Sequence, residues 1–133
     1  MTPAIKKYIL VVFLFIFNSP EVSAQDDPTI NVTEVSTKKK YGRDIETPIM
    51  VGTVANEYEY LSQLCGPNGE KINYERIDSC CEFVCPSCPM GAGLLDEWEI
   101  RYSGLKKPII IYINGYLYDN PMAPKKLGLK SQN

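Results

Sequence analysis

Residues 97–118, EWEIRYSGLKKPIIIYINGYLY, decide the fold. Trp98, Ile100 and Tyr102 alternate with Glu97, Glu99 and Arg101, and this period of two gives the apolar and charged faces of a half-buried strand. Over residues 108–118, Ile109, Ile111, Ile113 and Leu117 share one face of a second strand. Ile110, Tyr112, Asn114, Tyr116 and Tyr118 share the other. Residues 103–107 are a short link, so the two strands form a hairpin with antiparallel pairing. A sheet with two largely apolar faces wants a covering layer on each.

Working outward, PIMVG at 48–52 reads as a short strand closed by glycine. A short helix follows, with Asn56 as N-cap, Glu57 and Glu59 near the positive end of its dipole, and Leu61, Leu64 and Cys65 as an apolar stripe that Gly66 ends. GPNGE at 66–70 is dense turn chemistry, and a strand from Lys71 to about Ile77 leaves it. The expected fold is therefore α+β, a small antiparallel sheet of about four strands with one short helix packed on a face. A single domain spans residues 41–120. Residues 25–40 carry only isolated aliphatics and read as a flexible segment; residues 121–133 are lysine-rich and read as an irregular tail.

The N-terminus reads as an export signal. Lys6 and Lys7 precede an unbroken apolar run over 8–17, then Pro20 and the small-residue site Val22-Ser23-Ala24. That run is about half the ~20 residues a transmembrane helix needs, so cleavage after Ala24 is expected, with no membrane span left in the mature chain. Of the 133 residues, about 110 then remain, enough for one core. The mature protein is expected to be periplasmic or extracellular and soluble.

The chain has 14 basic and 16 acidic residues, and nothing in that balance suggests nucleic-acid binding, which needs clustered Lys and Arg. Lys38-Lys39-Lys40 is the one dense basic run, and a solvated linker is the preferred reading of it. Asn31-Val32-Thr33 fits a glycosylation sequon, which has meaning only in a eukaryotic secretory pathway.

Five cysteines fall within the mature part: Cys65, Cys80, Cys81, Cys85 and Cys88. Export makes disulfides the default for them. Cys80 to Cys81 is the least favoured bridge, because neighbouring Cα atoms lie only ~3.8 Å apart. If that stretch is extended, one of the two can instead reach Cys65, closing a loop of about 15 residues worth on the order of 3 kcal/mol. Cys85-Pro86-Ser87-Cys88 has the spacing of a redox dithiol, but prolines, glycines and nearby Asp78 and Glu82 oppose the helix N-terminus or cation that lowers a thiol pKa. A thiolate metal site built from Cys65, Cys80 or Cys81, Cys85 and Cys88 is the other alternative. No cofactor is otherwise implied.

The chain has no histidine, which removes Ser-His-Asp and Cys-His nucleophile systems and the HExxH metal helix. Glu97 and Glu99 beside Arg101 read as a solvated face rather than an acid/base pair. Asp96 reads as pointing inward near Trp98, as a strand-end cap or a core-edge hydrogen-bonding group rather than a catalytic acid. Gly91-Ala92-Gly93 lacks the context of a phosphate loop and reads as a mobile linker. Tyr112, Tyr116 and Tyr118 are the candidate binding surface for a sugar or protein partner, although a helix covering that stripe is the preferred reading.

Lys40-Tyr41-Gly42, Pro48-Ile49, Val51-Gly52, Asn56-Glu57, GPNGEKINYER at 66–76, SCC at 79–81, GLLDEWEI at 93–100 and YSGLKKPIIIYIN at 102–114 together resemble a family of small exported bacterial envelope proteins. Its members are often labelled 2-dehydro-3-deoxyphosphooctonate aldolase. The resemblance spans roughly residues 40–125, and Cys85 and Cys88 are departures from its pattern. It implies an envelope location and, through the label, an aldolase activity. Enzymes making that sugar acid resemble (β/α)8 barrels of about 250 residues, beyond the reach of this chain. A Schiff-base aldolase needs a desolvated lysine, whereas Lys106 and Lys107 fall in an expected exposed turn and Lys71 is the less certain case. The expected function is thus a disulfide-stabilised structural or interaction module of the envelope, with an envelope protein or glycan as partner. A thiol redox or metal-binding protein is the alternative, and the aldolase a remote one.

Overall fold

The computed structural model describes residues 27–131, so the expected signal peptide, residues 1–24, lies outside the described residues. The elements run β1 (Ile49–Met50), α1 (Val54–Ser62), β2 (Leu64–Cys65), β3 (Asn73–Val84), β4 (Ala92–Arg101), β5 (Ile109–Asn114) and β6 (Gly128–Leu129). Four strands form one sheet in the order β1-β5-β4-β3, and β2 pairs with β6 in a second, two-stranded sheet. This is an α+β fold with one short helix, as the alternating pattern at 97–118 predicts.

The hairpin of β4 and β5 is antiparallel, with Trp98 opposite Ile111 and Ile100 opposite Ile109. The expectation of a wholly antiparallel sheet fails at one edge, where β1 runs parallel to β5, Ile49 opposite Ile113. A helix and a hairpin separate these two strands in the chain, so no tight turn forces them antiparallel. β3 is longer than expected and pairs with β4 along its length, with irregularities between Arg76 and Asp78 and between Cys80 and Glu82. Since β5 pairs only with Asp96 to Ile100 of β4, the far half of the β3–β4 hairpin projects past the end of β5.

Helix α1 starts earlier than the sequence suggests. Thr53, extended at φ −142°, is the N-cap, and its Oγ1 accepts from Asn56 N at 3.1 Å. Asn56 instead donates its side-chain amide to the carbonyls of Pro28 at 2.8 Å and Val51 at 3.0 Å. The helix packs Tyr60 and Leu61 against Ile49, Trp98, Ile100, Ile109, Ile111 and Ile113 in one core. It therefore covers the isoleucine face of β5, and not the tyrosine face. Beyond Ser62 the chain leaves the helix, and Leu64 and Cys65 pair with Leu129 and Gly128.

Both ends of the described chain belong to this core, which corrects the expected flexible segment and irregular tail over their described parts, 27–40 and 121–131. Ile30 and Val32 are buried in the core cluster with Ala123 and Leu127. The Gln63 side chain ties the first pair down, accepting from Val32 N at 2.8 Å and donating to Ile30 O at 2.9 Å. Ser36 N and Ala123 N each donate across to the other segment, to Ala123 O and Glu34 O. Few aliphatics suffice because they complete a core that the sheet has already begun.

Candidate functional site

The cysteines group differently from the expected bridge to Cys65. Cys80 lies at disulfide distance from its neighbour Cys81, with Cα atoms 3.7 Å apart, and Cys85 pairs with Cys88 across 5.3 Å. Cys65 is buried in β2 as a free thiol. The adjacent pair sits in the second irregularity of β3, where Cys81 takes φ 58° and leaves the extended conformation that would send the two side chains to opposite faces. Residues 85–91 form the hairpin turn, closed by Cys85 N to Gly91 O at 2.9 Å and Cys88 N to Cys85 O at 3.0 Å. Both turn sulfurs belong to buried residues. The four-sulfur grouping of Cys65, Cys80, Cys85 and Cys88 is not assembled, and the described residues hold no cluster of three or more metal-ligating side chains.

Nor do the tyrosines form a stripe. β5 stops at Asn114, whose Oδ1 accepts from Tyr116 N at 2.9 Å and Leu117 N at 3.0 Å, a turn that ends the strand four residues before the expected limit. Tyr112 stays in β5 opposite Glu97, half-buried, while Tyr116 and Tyr118 are exposed on the chain beyond it. Tyr116 packs at 5.9 Å from the ring of Phe83. Gly93 makes this contact possible: a Cβ there would sit 2.6 Å from the Phe83 ring and 3.1 Å from Tyr116. Residues 92 and 93 are thus part of β4 and not a linker.

Where the projecting hairpin leaves α1, a cleft of about 190 Å³ opens, lined by Glu57 and Tyr58 of the helix, Arg76 and Ser79 of β3, Asp96 and Trp98 of β4, and Tyr116 among others. The strand register explains the convergence. Arg76 faces Trp98 and Ser79 faces Asp96 across the β3–β4 ladder, and the irregularity between Arg76 and Asp78 brings Ser79 onto the same face. Arg76 donates twice to Asp96 Oδ1, at 3.0 Å from Nε and 2.8 Å from Nη2, and Ser79 Oγ donates to the same oxygen at 2.8 Å. Arg76 Nη2 also donates to Ser79 Oγ. From the helix side, Glu57 is fully buried and its Oε1 accepts from Trp98 Nε1 at 3.1 Å. The Trp98 ring is held edge-on by Tyr58 at 5.3 Å and Tyr74 at 6.0 Å.

Two carboxyls in one cleft cannot both ionise cheaply. Burial and a hydrogen bond shared with Asp96 push Glu57 up to about 8, against a weaker opposing pull from Trp98. Burial also works against an ionised Asp96, but hydrogen bonds from Glu57, Ser79 and Arg76, together with the Arg76 charge, outweigh it and hold Asp96 below its usual range. The proton thus rests on Glu57, where it can satisfy an acid whose Oε2 is buried and receives no hydrogen bond from the described residues. At neutral pH the site holds a neutral acid, a carboxylate and a guanidinium, with no net charge.

Of the two sequence readings of Asp96, the inward hydrogen-bonding group holds and the strand-end cap does not, since Asp96 lies within β4; the sequence reads Glu57 only as an acid near the positive end of the helix dipole and passes over Arg76. One signal pointed to Glu57. With Tyr60, Leu61 and Leu64 it falls at i, i+3, i+4 and i+7, so an acid stands in the apolar stripe of the helix.

No protein-family model, curated protein or solved structure matches this chain. Its chemistry is therefore read from its own residues.

Proposed function

We propose that the protein is an exported, disulfide-stabilised binding module of the cell envelope, and that the cleft between α1 and the β3–β4 hairpin takes one ring of a neutral, hydroxylated ligand such as a glycan. The carrying observation is the buried Glu57 acid beside Asp96. The half-exposed Arg76 guanidinium and the Ser79 hydroxyl offer donors, and the exposed rings of Tyr58 and Tyr116 supply aromatic surface, over a buried floor of Glu57, Asp96 and Trp98 that fixes their positions. A site whose charges are balanced internally has little to gain from an ionic ligand.

The segments behind the envelope-family resemblance support this reading. Asn56-Glu57, the end of NYER, SCC and DEW all arrive at or beside the cleft. No described helix is long and apolar enough to cross a membrane, which is compatible with release after signal cleavage. Every lysine among the described residues is exposed, so a Schiff-base aldolase lacks the desolvated lysine it needs.

Trp98 is the single tryptophan of the chain, so its emission reports on the cleft. Titration with neutral mono- and oligosaccharides is expected to give a saturable change for one class, weakened at least about tenfold by Tyr58→Ala, which removes an exposed aromatic wall. No saturable change with any sugar, or no response to that substitution, overturns the ligand assignment. Alkylation of the unreduced protein separately tests the thiol reading. One reactive cysteine at most and no stoichiometric metal are expected; three or more free thiols, or bound zinc or copper, would favour the redox or metal alternative.

A further inference from the structure

On another part of the surface the chain gathers positive charge. The basic run at 38–40 and the pair Lys125-Lys126 are about 85 positions apart in sequence, yet Lys39, Lys40, Arg43, Lys125 and Lys126 line one cavity of about 340 Å³, with Asp44 as its acid. Both loops are built by backbone turns and not by their side chains. Arg43 N donates to Lys40 O at 2.9 Å, Gly42 N to Thr47 O at 2.7 Å, and Leu127 N to Pro124 O at 3.0 Å. Gly42 takes φ +71°, and a Cβ there would lie 2.7 Å from Ile49 and 3.3 Å from Pro124, so the glycine lets the two loops close on each other. Thr47 Oγ1 further ties Lys40 O at 2.9 Å.

The five cations face a single acid, Asp44. Among the described residues the ion pairs are Arg76–Asp96 and Arg101–Glu99, both elsewhere, so one carboxylate is left against five cations. In a chain with a net charge of −2, such a concentration is local and raises a positive field over the cleft. All five side chains are exposed, so their ends are free to close on a ligand. A compact occupant must bring several negative charges into a small volume. Carboxylates supply one each, whereas phosphate monoesters carry nearly two and accept several charge-assisted hydrogen bonds.

We propose that this basic cleft binds a ligand carrying clustered phosphate groups, either free in solution or displayed as phosphomonoester headgroups on a lipid surface. The site is separate from the acid cleft, and its failure would leave the sugar assignment standing.

Calorimetric titration of the purified protein with inorganic tripolyphosphate, and co-sedimentation with phosphatidylcholine vesicles with and without phosphatidic acid, test the two sources. Saturable one-to-one binding of tripolyphosphate is expected for a free ligand. Sedimentation only with phosphatidic acid, and no tripolyphosphate heat, assigns the site to headgroups. In either case Lys39→Glu with Lys125→Glu is expected to weaken binding at least about tenfold, while Lys106→Glu with Lys107→Glu, the same charge change in a remote loop, changes it by no more than about twofold. Unchanged Trp98 emission confirms that each variant is folded. Binding in neither assay, or equal losses in the two double variants, overturns the proposal.

Discussion

The two clefts handle charge in opposite ways. Around Glu57 the ionisable groups come from a helix and two strands, both carboxyls are withdrawn from water, and the groups answer one another: Asp96 has Arg76 and Ser79, and Glu57 has its proton and Trp98. Around Lys39 and Lys125 the groups come from two irregular loops, remain in water and have no acid to answer them save Asp44. Regular elements impose a register, so every buried polar group must be matched within the fold. Loops impose no such demand, and charge on them is left for something outside. Stability should therefore be sensitive to the first cleft and nearly indifferent to the second.

The sharpest test is Trp98→Ala. It empties a fully packed position beneath two tyrosine rings and strips Glu57 Oε1 of its donor, and should cost about 3–5 kcal/mol in urea unfolding. A loss below about 1 kcal/mol would mean that the helix and sheet are not joined through this residue.

Next in size is the pH dependence. Glu57 is raised in the folded protein from 4.5 to about 8, so the native state binds a proton that the unfolded chain has released between those values. Stability is then fullest at or below the unfolded value and falls as pH rises toward 8, by up to about 1.4 kcal/mol per unit. Asp96 acts in the opposite sense. Its contribution is present above the unfolded value of 3.8 and disappears as pH drops through the lower folded one. Urea midpoints should therefore peak near pH 4 to 5, and Glu57→Gln should flatten the decline at higher pH. An equally steep decline in that variant would place the titrating group elsewhere.

Asp96→Asn should be milder. It removes one charge from a hydrogen-bonded pair whose Arg76 is half in water and can be rehydrated, and about 1.5–3 kcal/mol is expected at pH 7. Smallest of all, Lys39→Glu with Lys125→Glu should move stability by no more than about 0.5 kcal/mol. A larger change would show that the basic loops are tied into the fold by contacts other than their backbone turns.

Alternation made the centre of this molecule readable. Trp98, Ile100, Ile109, Ile111 and Ile113 occupy the faces that a period of two assigns them. Residues whose surroundings are set by distant parts of the chain were not readable in this way. Glu57 meets Trp98 only because α1 lies over β4, and the acid is 41 positions away in sequence. Lys39 meets Lys125 only because Gly42 closes on Pro124. The bridge expected from Cys65 presumed extended backbone at 80–81, and Cys81 at φ 58° removes that premise. Ile30 and Val32 looked too sparse to order their segment because the Gln63 amide that fixes them could not be anticipated from their own neighbourhood.

The pairing of residues near 35 with Ala123 carries a consequence for biogenesis. A ribosome delivers Ile30 and Val32 among the earliest parts of the described domain and the seat for them, Ala123 and Leu127, among the last. Nearly all of the described domain must be present before the segments at 30–36 and 123–127 can dock. Such long-range closure slows acquisition of the native state relative to chains with mostly local contacts.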